Sequence, residues 1–375
     1  MRVATVCLLL GALPGIAVAQ DKPRVALQRV VPADDVTTPE AGDFSAQKSS
    51  TDDDSKPEPA AVEPVADAKA GAIKPPRVPE FFGDQAPIGS LRRIPNGQIT
   101  GAGAIFVPSA RYFKISDNNS PSPQTTDTFS FNYFYNLFPD INPRLGGGIQ
   151  HTRIHREIFG LEWADDDGSC SVGLRLPIDT YNAANTVPGL DGTSTDIGDL
   201  TAFWKFRVWS DDETGSLLSM GLAVTPTTAT GSFAGANHIK VFHNTSLQPF
   251  TGWIWRRDRF YVQGFTAVDA PTDLNDVVML QNSVAMGYFL YQKCRGSGGI
   301  TAVVPTVEVH VSTPLNHRGV LVFADPAGNP DQVNVTAGIN FEYADASSAG
   351  VAFSTPVTGP RMFDFQILFQ VRYRY

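Results

Sequence analysis

The chain closes on FDFQILFQVRYRY, Phe363–Tyr375. Phe363, Phe365, Ile367, Phe369, Val371, Tyr373 and Tyr375 are apolar or aromatic, and they alternate with Asp364, Gln366, Leu368, Gln370, Arg372 and Arg374. A period of two specifies a β-strand with one dry face and one mostly wet face. The fold turns on where each face points.

The same pattern recurs upstream. QVNVTAGINFEY sets Val333, Val335, Ala337, Ile339, Phe341 and Tyr343 opposite Asn334, Thr336, Gly338, Asn340 and Glu342. TAVVPTVEVHVS sets Val303, Pro305, Val307, Val309 and Val311 opposite Thr306, Glu308, His310 and Ser312. TFSFNYFYNL and SVGLRLPI follow suit, and DLTAFWKFRVW puts Trp204, Phe206 and Val208 against Lys205 and Arg207. Twelve such segments begin near residues 127, 151, 169, 199, 215, 246, 259, 277, 300, 332, 348 and 363. HTRIHREIFGLEWA changes apolar parity near Ile158, which implies a bulge or a displaced boundary.

The connections decide between a soluble sandwich and a membrane barrel. Alternate links are short (ADDDGS, SDDETGS, RRD, QKCRGSGG, ADASS), and those between them tend to be long, as in FPDINPRLGGGIQ, DTYNAANTVPGLDGTSTDIG after Ile178, and LNHRGVLVFADPAGNPD. Short turns on one rim and long loops on the other describe an up-and-down transmembrane β-barrel, here of about 12 antiparallel strands in an all-β fold. The apolar face then meets lipid and the Asp, Gln and Arg face looks inward. Closure is required because an open edge in hydrocarbon leaves backbone groups unpaired, each costing several kcal/mol.

Residues 1–19 read as a secretory signal peptide: Arg2, an apolar run, and Ala17-Val18-Ala19 before the cut. Cys7 lies in that segment and has no lipobox around it. Residues 20–79 are rich in Pro, Ala and acidic residues with hardly an aromatic, the composition of a disordered periplasmic leader. Part of the net charge of −9 comes from this leader, so it says little about a ligand. Residues 80–126 are more apolar but irregular, and are expected to form a partial plug or, over Ala104–Ile115, an extra strand. Residues 127–375 form the barrel. No later run of 18 apolar residues exists to span a bilayer as a helix. No basic patch interleaved with aromatics suits nucleic acid.

With the first strand starting in the periplasm, an even strand count returns the carboxyl terminus to the periplasmic rim. Tyr373 and Tyr375 then fall at the membrane interface. This ending resembles that of bacterial outer-membrane barrels, and the resemblance implies that Phe365, Tyr373 and Tyr375 form the signal read by the barrel-assembly machinery. TSTDIGDLTAFWKFRVW is similar to the Gly-Asp-Leu strand opening of outer-membrane barrels associated with phenol degradation, often labelled transporters. FKISDNNSPSPQTTDTFSFNYFYN and FGLEWADDDGSCSVGLRLPI also resemble a group of uncharacterised barrels with an acidic Ser-Pro-x-Pro lead-in to the first strand.

Catalytic and metal-binding patterns are weak. His151, Arg153, His155 and Glu157 alternate on one strand face, and two His four residues apart lie roughly 13 Å from each other, too far to chelate one ion. His243–Ser246 (HNTS) has no carboxylate nearby in sequence, and Asp165–Gly168 (DDDG) lacks the ligand spacing of a calcium loop. Asp191, Asp196 and Asp199 share one loop and read as loop polarity. No catalytic residue, metal ligand or cofactor is therefore assigned, and the chain is expected not to be an enzyme. Cys170 and Cys294 fall at the same rim on distant walls, too far apart for a disulfide.

The charges predicted to line the lumen are Arg175, Lys205, Arg207, Glu308, His310, Glu342, Asp364, Arg372 and Arg374. They either bias which solutes pass or pair across the lumen and fill it. The expected function is an outer-membrane pore or passive transporter for small solutes, with membrane lipid and the assembly machinery as partners. The alternative is a structural barrel that anchors the envelope through its loops or leader without transport.

Overall fold

The structure is a computed structural model that describes residues 77–93, 104–111, 113–146, 149–185, 192–232, 241–293, 298–320, 323–344 and 346–375. The signal peptide, nearly all of the leader, Asp191 and Cys294 lie outside the described residues. In chain order the strands are β1 (Gly89–Arg93), β2 (Ala104–Pro108), β3 (Thr126–Tyr135), β4 (Ile149–Ala164), β5 (Cys170–Asn185), β6 (Gly192–Ile197), β7 (Thr201–Asp211) and β8 (Ser216–Thr225). They continue as β9 (Ser246–Arg257), β10 (Phe260–Pro271), β11 (Met279–Tyr288), β12 (Tyr291–Gln292), β13 (Ile300–Pro314), β14 (Gln332–Tyr343), β15 (Ser347–Pro356) and β16 (Phe365–Arg374). One helical turn, α1 (Asn142–Leu145), interrupts the β3–β4 link.

Twelve of these strands pair antiparallel with their neighbours, and β16 returns to β3 with Phe369 opposite Phe131, closing the ring. The sequence periodicity places each barrel strand's start within two residues of the observed one. β6 lies beside β5 in the lane that β7 continues, and β12 prolongs the β11 lane beside β13. The stretch read as a long loop after Ile178 is therefore mostly strand, since β5 runs on to Asn185 and β6 pairs back along it. β1 and β2 form a separate two-stranded sheet, so Ala104–Pro108 is a strand but adds nothing to the ring.

Alternation sorts the side chains as lipid requires. Ile367, Phe369, Val371, Tyr373 and Tyr375 point outward, while Gln366, Leu368, Gln370, Arg372 and Arg374 are buried inside. Trp163, Trp209 and Trp255 are outward and exposed to 49%, 54% and 48%. With Tyr288, Tyr343 and Tyr373 they ring the rim of short turns, and Tyr133, Tyr135, Phe353 and Phe365 mark the opposite level, with Tyr135 stacked on Phe365 at 4.9 Å. Two aromatic girdles bounding an apolar band are the surface of a membrane-spanning barrel.

The parity change near Ile158 is not a bulge. β4 pairs with β3 and β5 without a shift from Ile154 to Glu162, and the register slips only between Gln150 and Arg153. What changes is the kind of residue on the outward face: at the level of the upper girdle it carries Arg153, over the Tyr135 ring, His155, opposite Tyr133, and Glu157, opposite Phe131, while Ile154 and Ile158 face the interior.

Candidate functional site

The lumen is occupied by the chain itself. Residues 77–93 rise from the short-turn rim to the long-loop rim, the paired β1 and β2 sit at the top, and residues 104–111 and 113–125 descend to enter β3. At the top Leu91, Ile105 and Phe106 pack with Phe134, Phe138 and Ile154 in one apolar cluster. Midway Phe81 and Ile115 pack with Phe203, Phe250 and Phe265. At the bottom Val78 packs with Leu217, Ile254 and Phe289. The two limbs also bond to each other, as Phe81 N donates to Asn119 O at 3.0 Å and Gln124 Nε2 to Glu80 Oε1 at 3.1 Å.

Glu308 on β13 shows how the wall grips the ascending limb. Its carboxylate accepts the amides of Phe82 at 2.8 Å and Gly83 at 2.9 Å, and His310 Nε2 lies 3.1 Å away. Gly83 reaches this pose at φ +81°, and a Cβ there would lie 2.2 Å from the Asp117 carboxylate, so glycine is required twice over. Two successive amides on one carboxylate form a small anion nest, here donated by the inner chain to the wall. Beside it the Phe82 ring lies over Gly338 and Gly350, where a Cβ would come within 2.6 and 2.7 Å of ring carbons. Two glycines on adjacent strands thus make the notch that receives the ring.

The descending limb meets the basic wall. Lys205 donates to Ser120 O at 2.7 Å, Asn119 Oδ1 at 3.2 Å and Ser122 O at 3.3 Å, and pairs with Glu162 at 2.9 Å. Arg175 donates to the Asp117 and Asn118 carbonyls, the latter at 2.8 Å. Arg372 reaches the same Asn118 carbonyl at 2.9 Å and pairs with Glu80, which Arg374 also holds at 2.9 Å. Higher up, Arg111 of the inner chain pairs with Asp269 at 2.5 Å and Lys114 with Asp84 at 2.7 Å. Cavities of about 10 and 30 Å³ remain beside this limb, the smaller lined by β3, β4, β5, β7 and β16 and about the size of one water molecule, the larger lined by β4, β5, β7 and β8.

Of the charges predicted for the lumen, Arg175, Lys205, Glu308, His310, Glu342, Arg372 and Arg374 are buried inside the ring. Arg207 reaches the turn carbonyl of Asp167 at 2.6 Å on the short-turn rim. Asp364 precedes β16 on the other rim, bonded to Asn136 at 2.7 Å and Arg361 at 2.8 Å. Arg361 also bonds Asp140, holding that carboxyl below its ordinary range. Phe365, Tyr373 and Tyr375 lie on the outer face, and the Tyr375 hydroxyl bonds Asp127.

The weaker candidates resolve into turns and loops. Asp165 accepts Ser169 Oγ and, at 3.0 Å, Cys170 N; burial opposes its charge, yet these donors hold its carboxyl at about 2. Asp196 accepts Thr230 Oγ1 at 2.6 Å. HNTS does have a carboxylate partner in space: His243 Nε2 lies 2.8 Å from Asp199, which also accepts the amides of Thr228 and Ala229. Ser283, opposite His310 in the β11–β13 register, completes a Ser–His–Glu row, with Oγ 2.9 Å from Nδ1. That row is buried beneath the inner limb, and Glu308 already bonds two main-chain amides. Among the described residues no group of three or more His, Cys, Asp or Glu is placed to hold a metal ion.

Sequence reading missed the inner chain's half of these contacts, from Glu80 through Lys114, Asp117 and Asn118. It also missed Arg156 and Asp179, which pair across β4 and β5 at 2.7 Å. Their strand parity was the available signal: Arg156 shares its face with Gly160 and Glu162, and Asp179 with Arg175.

The fold and lumen define a closed twelve-stranded barrel of the outer-membrane type with its own chain inside. No family model and no curated protein matches the sequence. Among solved structures it is similar to an outer-membrane channel from Pseudomonas putida F1, at 9% identity and TM-score 0.48 over 67% of this chain and 96% of that one. It is also similar to the KdgM porin (8%, 0.36, 66% and 99%) and the NanC porin (6%, 0.38, 66% and 98%). At these identities and scores the likeness carries nothing about a solute.

Proposed function

We propose that the chain is an outer-membrane channel for small solutes, closed in this conformation by the described residues of the inner chain, 77–93, 104–111 and 113–125, and opened by their displacement. Its short-turn rim and carboxyl terminus face the periplasm, and Phe365, Tyr373 and Tyr375 address it to the barrel-assembly machinery. Residues 1–19 are its signal peptide and 20–79 its leader. The resemblance to phenol-degradation-associated barrels agrees with a transport role.

One observation carries the reading: Arg175 and Arg372, and with them Lys205 and Glu308 beside their wall partners Glu162 and His310, bond the inner chain's main-chain groups and Glu80. A lumen filled only for rigidity has no need of buried charges, because replacing such pairs by apolar residues is often neutral or stabilising. Charges answered by a separable segment suit a wall that water also visits. The test is conductance in planar bilayers of the full chain and of a chain lacking residues 20–122. A shortened chain that folds, migrates as a compact barrel before heating and carries no current would overturn the proposal in favour of an anchoring role.

A further inference from the structure

The basic half of the lumen holds two buried guanidiniums that form no ion pair with the wall: Glu162, which lines the same small cavity, is paired with Lys205 at 2.9 Å. Arg175 and Arg372, exposed to 4% and 3%, stand on strands β5 and β16 and converge on one oxygen, the Asn118 carbonyl, at 2.8 and 2.9 Å. Among the described residues neither has an ion-pair partner on the wall; the one carboxylate that reaches Arg372 is Glu80 of the inner chain. Arg374 grips both Glu80 oxygens at 2.9 and 3.0 Å, shared with Glu342 at 2.6 Å. Asn118 adopts φ +48°, a left-handed pose that asparagine tolerates, and presents its carbonyl and, at 2.7 Å, its side-chain oxygen to Arg372.

We infer that Arg175, Arg372 and Arg374 form a binding site for small oxyanions, carboxylate or phosphate, that Glu80 and the Asn118 carbonyl occupy in place of a ligand. The inference rests on the channel reading and names its solute class. Guanidinium forks match planar carboxylate and phosphate edges bidentately. Once the limb leaves, Arg374 keeps Glu342 of the wall, while Arg175 and Arg372 lose the Asn118 carbonyl and Glu80 and can replace them from solution. An oxyanion on the clamp and the inner chain in the lumen are thus mutually exclusive, so the permeating ion also competes with closure.

Full-length protein in planar bilayers tests this, with Glu80→Gln and Phe82→Ala raising the frequency of opening while leaving every wall charge in place. Reversal potentials in a KCl gradient are expected to show chloride preferred several-fold over potassium. Replacing chloride by acetate or by inorganic phosphate on one side reports which oxyanion the clamp passes or holds. Glu80→Gln combined with Arg372→Gln is expected to bring the preference close to unity. Cation preference in a folded, conducting protein overturns the anion site and leaves the channel intact. Folded variants that never conduct overturn the channel instead. The clamp is then read by heat: acetate or phosphate, at matched ionic strength, raises the unfolding temperature of Glu80→Gln but not of the double variant. Equal temperatures in both overturn the site.

Discussion

Replacing Phe82 by Ala tests the closed state at its tightest apolar contact. The ring is 2% exposed, lies in the notch of Gly338 and Gly350, and packs with Ala352 and Leu368. Truncating a buried Phe to Ala costs about 3–5 kcal/mol through lost transfer energy and the cavity left behind. The neighbouring Asn340 can hydrogen-bond a water that enters the notch, which favours the low end, about 3 kcal/mol. Glu308 keeps both amides, because the substitution leaves the main chain in place. The wall keeps every charge, so the loss falls on docking of the inner limb. At 1.4 kcal/mol per decade, the ratio of displaced to docked limb rises about 100-fold. Single-channel recording reads that ratio as open probability, and thiol labelling of a cysteine placed at Ser116 reads it without current. A folded Phe82→Ala protein whose open probability and labelling rate stay within about twofold of the parent would refute the argument, since a limb docked through this notch must respond by decades.

Other outcomes follow from the same contacts. Gly350→Leu fills the notch from the wall side and is expected to raise conductance as Phe82→Ala does; combined with Phe82→Ala it should add little, as shared-site substitutions do. Lys205→Met leaves Glu162 buried without its cation, so thermal stability should fall by roughly 3–5 kcal/mol, and Glu162→Gln added to it should recover much of the loss. In the loop between β13 and β14, burial disfavours His317's charge, but the Leu274 carbonyl and Asp325, 2.6 Å away, outweigh it and raise its pKa above 6.5. A raised histidine stabilises most below its unfolded value and loses that contribution as pH climbs through the folded one. Hydrogen exchange over 315–331, corrected for intrinsic rate, should therefore speed up above that value, and His317→Gln should remove the pH step.

The ring was readable because lipid enforces a simple rule at every second position. Val307, Val309 and Val311 against Glu308, His310 and Ser312 can be sorted without a neighbour in view. The rule falters at HTRIHRE, where the outward positions of β4 hold His155 and Glu157 opposite Tyr133 and Phe131 of the girdle region, and apolar Ile154 and Ile158 face inward. The inner chain obeys no period at all. Its main chain bonds to side chains up to 254 residues away, as with Asn118 and Arg372, so each residue answers to one wall position rather than to a pattern. Asn118, Gly83 and Phe82 thus carried no local signal, and the basic clamp was legible only as separate inward charges. Ser283 met His310 through register, which needs the strand pairing to be known.

Glu80 and Gln124 stand 3.1 Å apart, so the inner hairpin has both feet on one threshold. A tug on the polypeptide preceding Arg77 acts along the barrel axis and peels the rising limb from Glu308 one contact at a time, like a zip rather than a cork. The far rim need not part for this, and the falling limb stays tethered to β3 throughout.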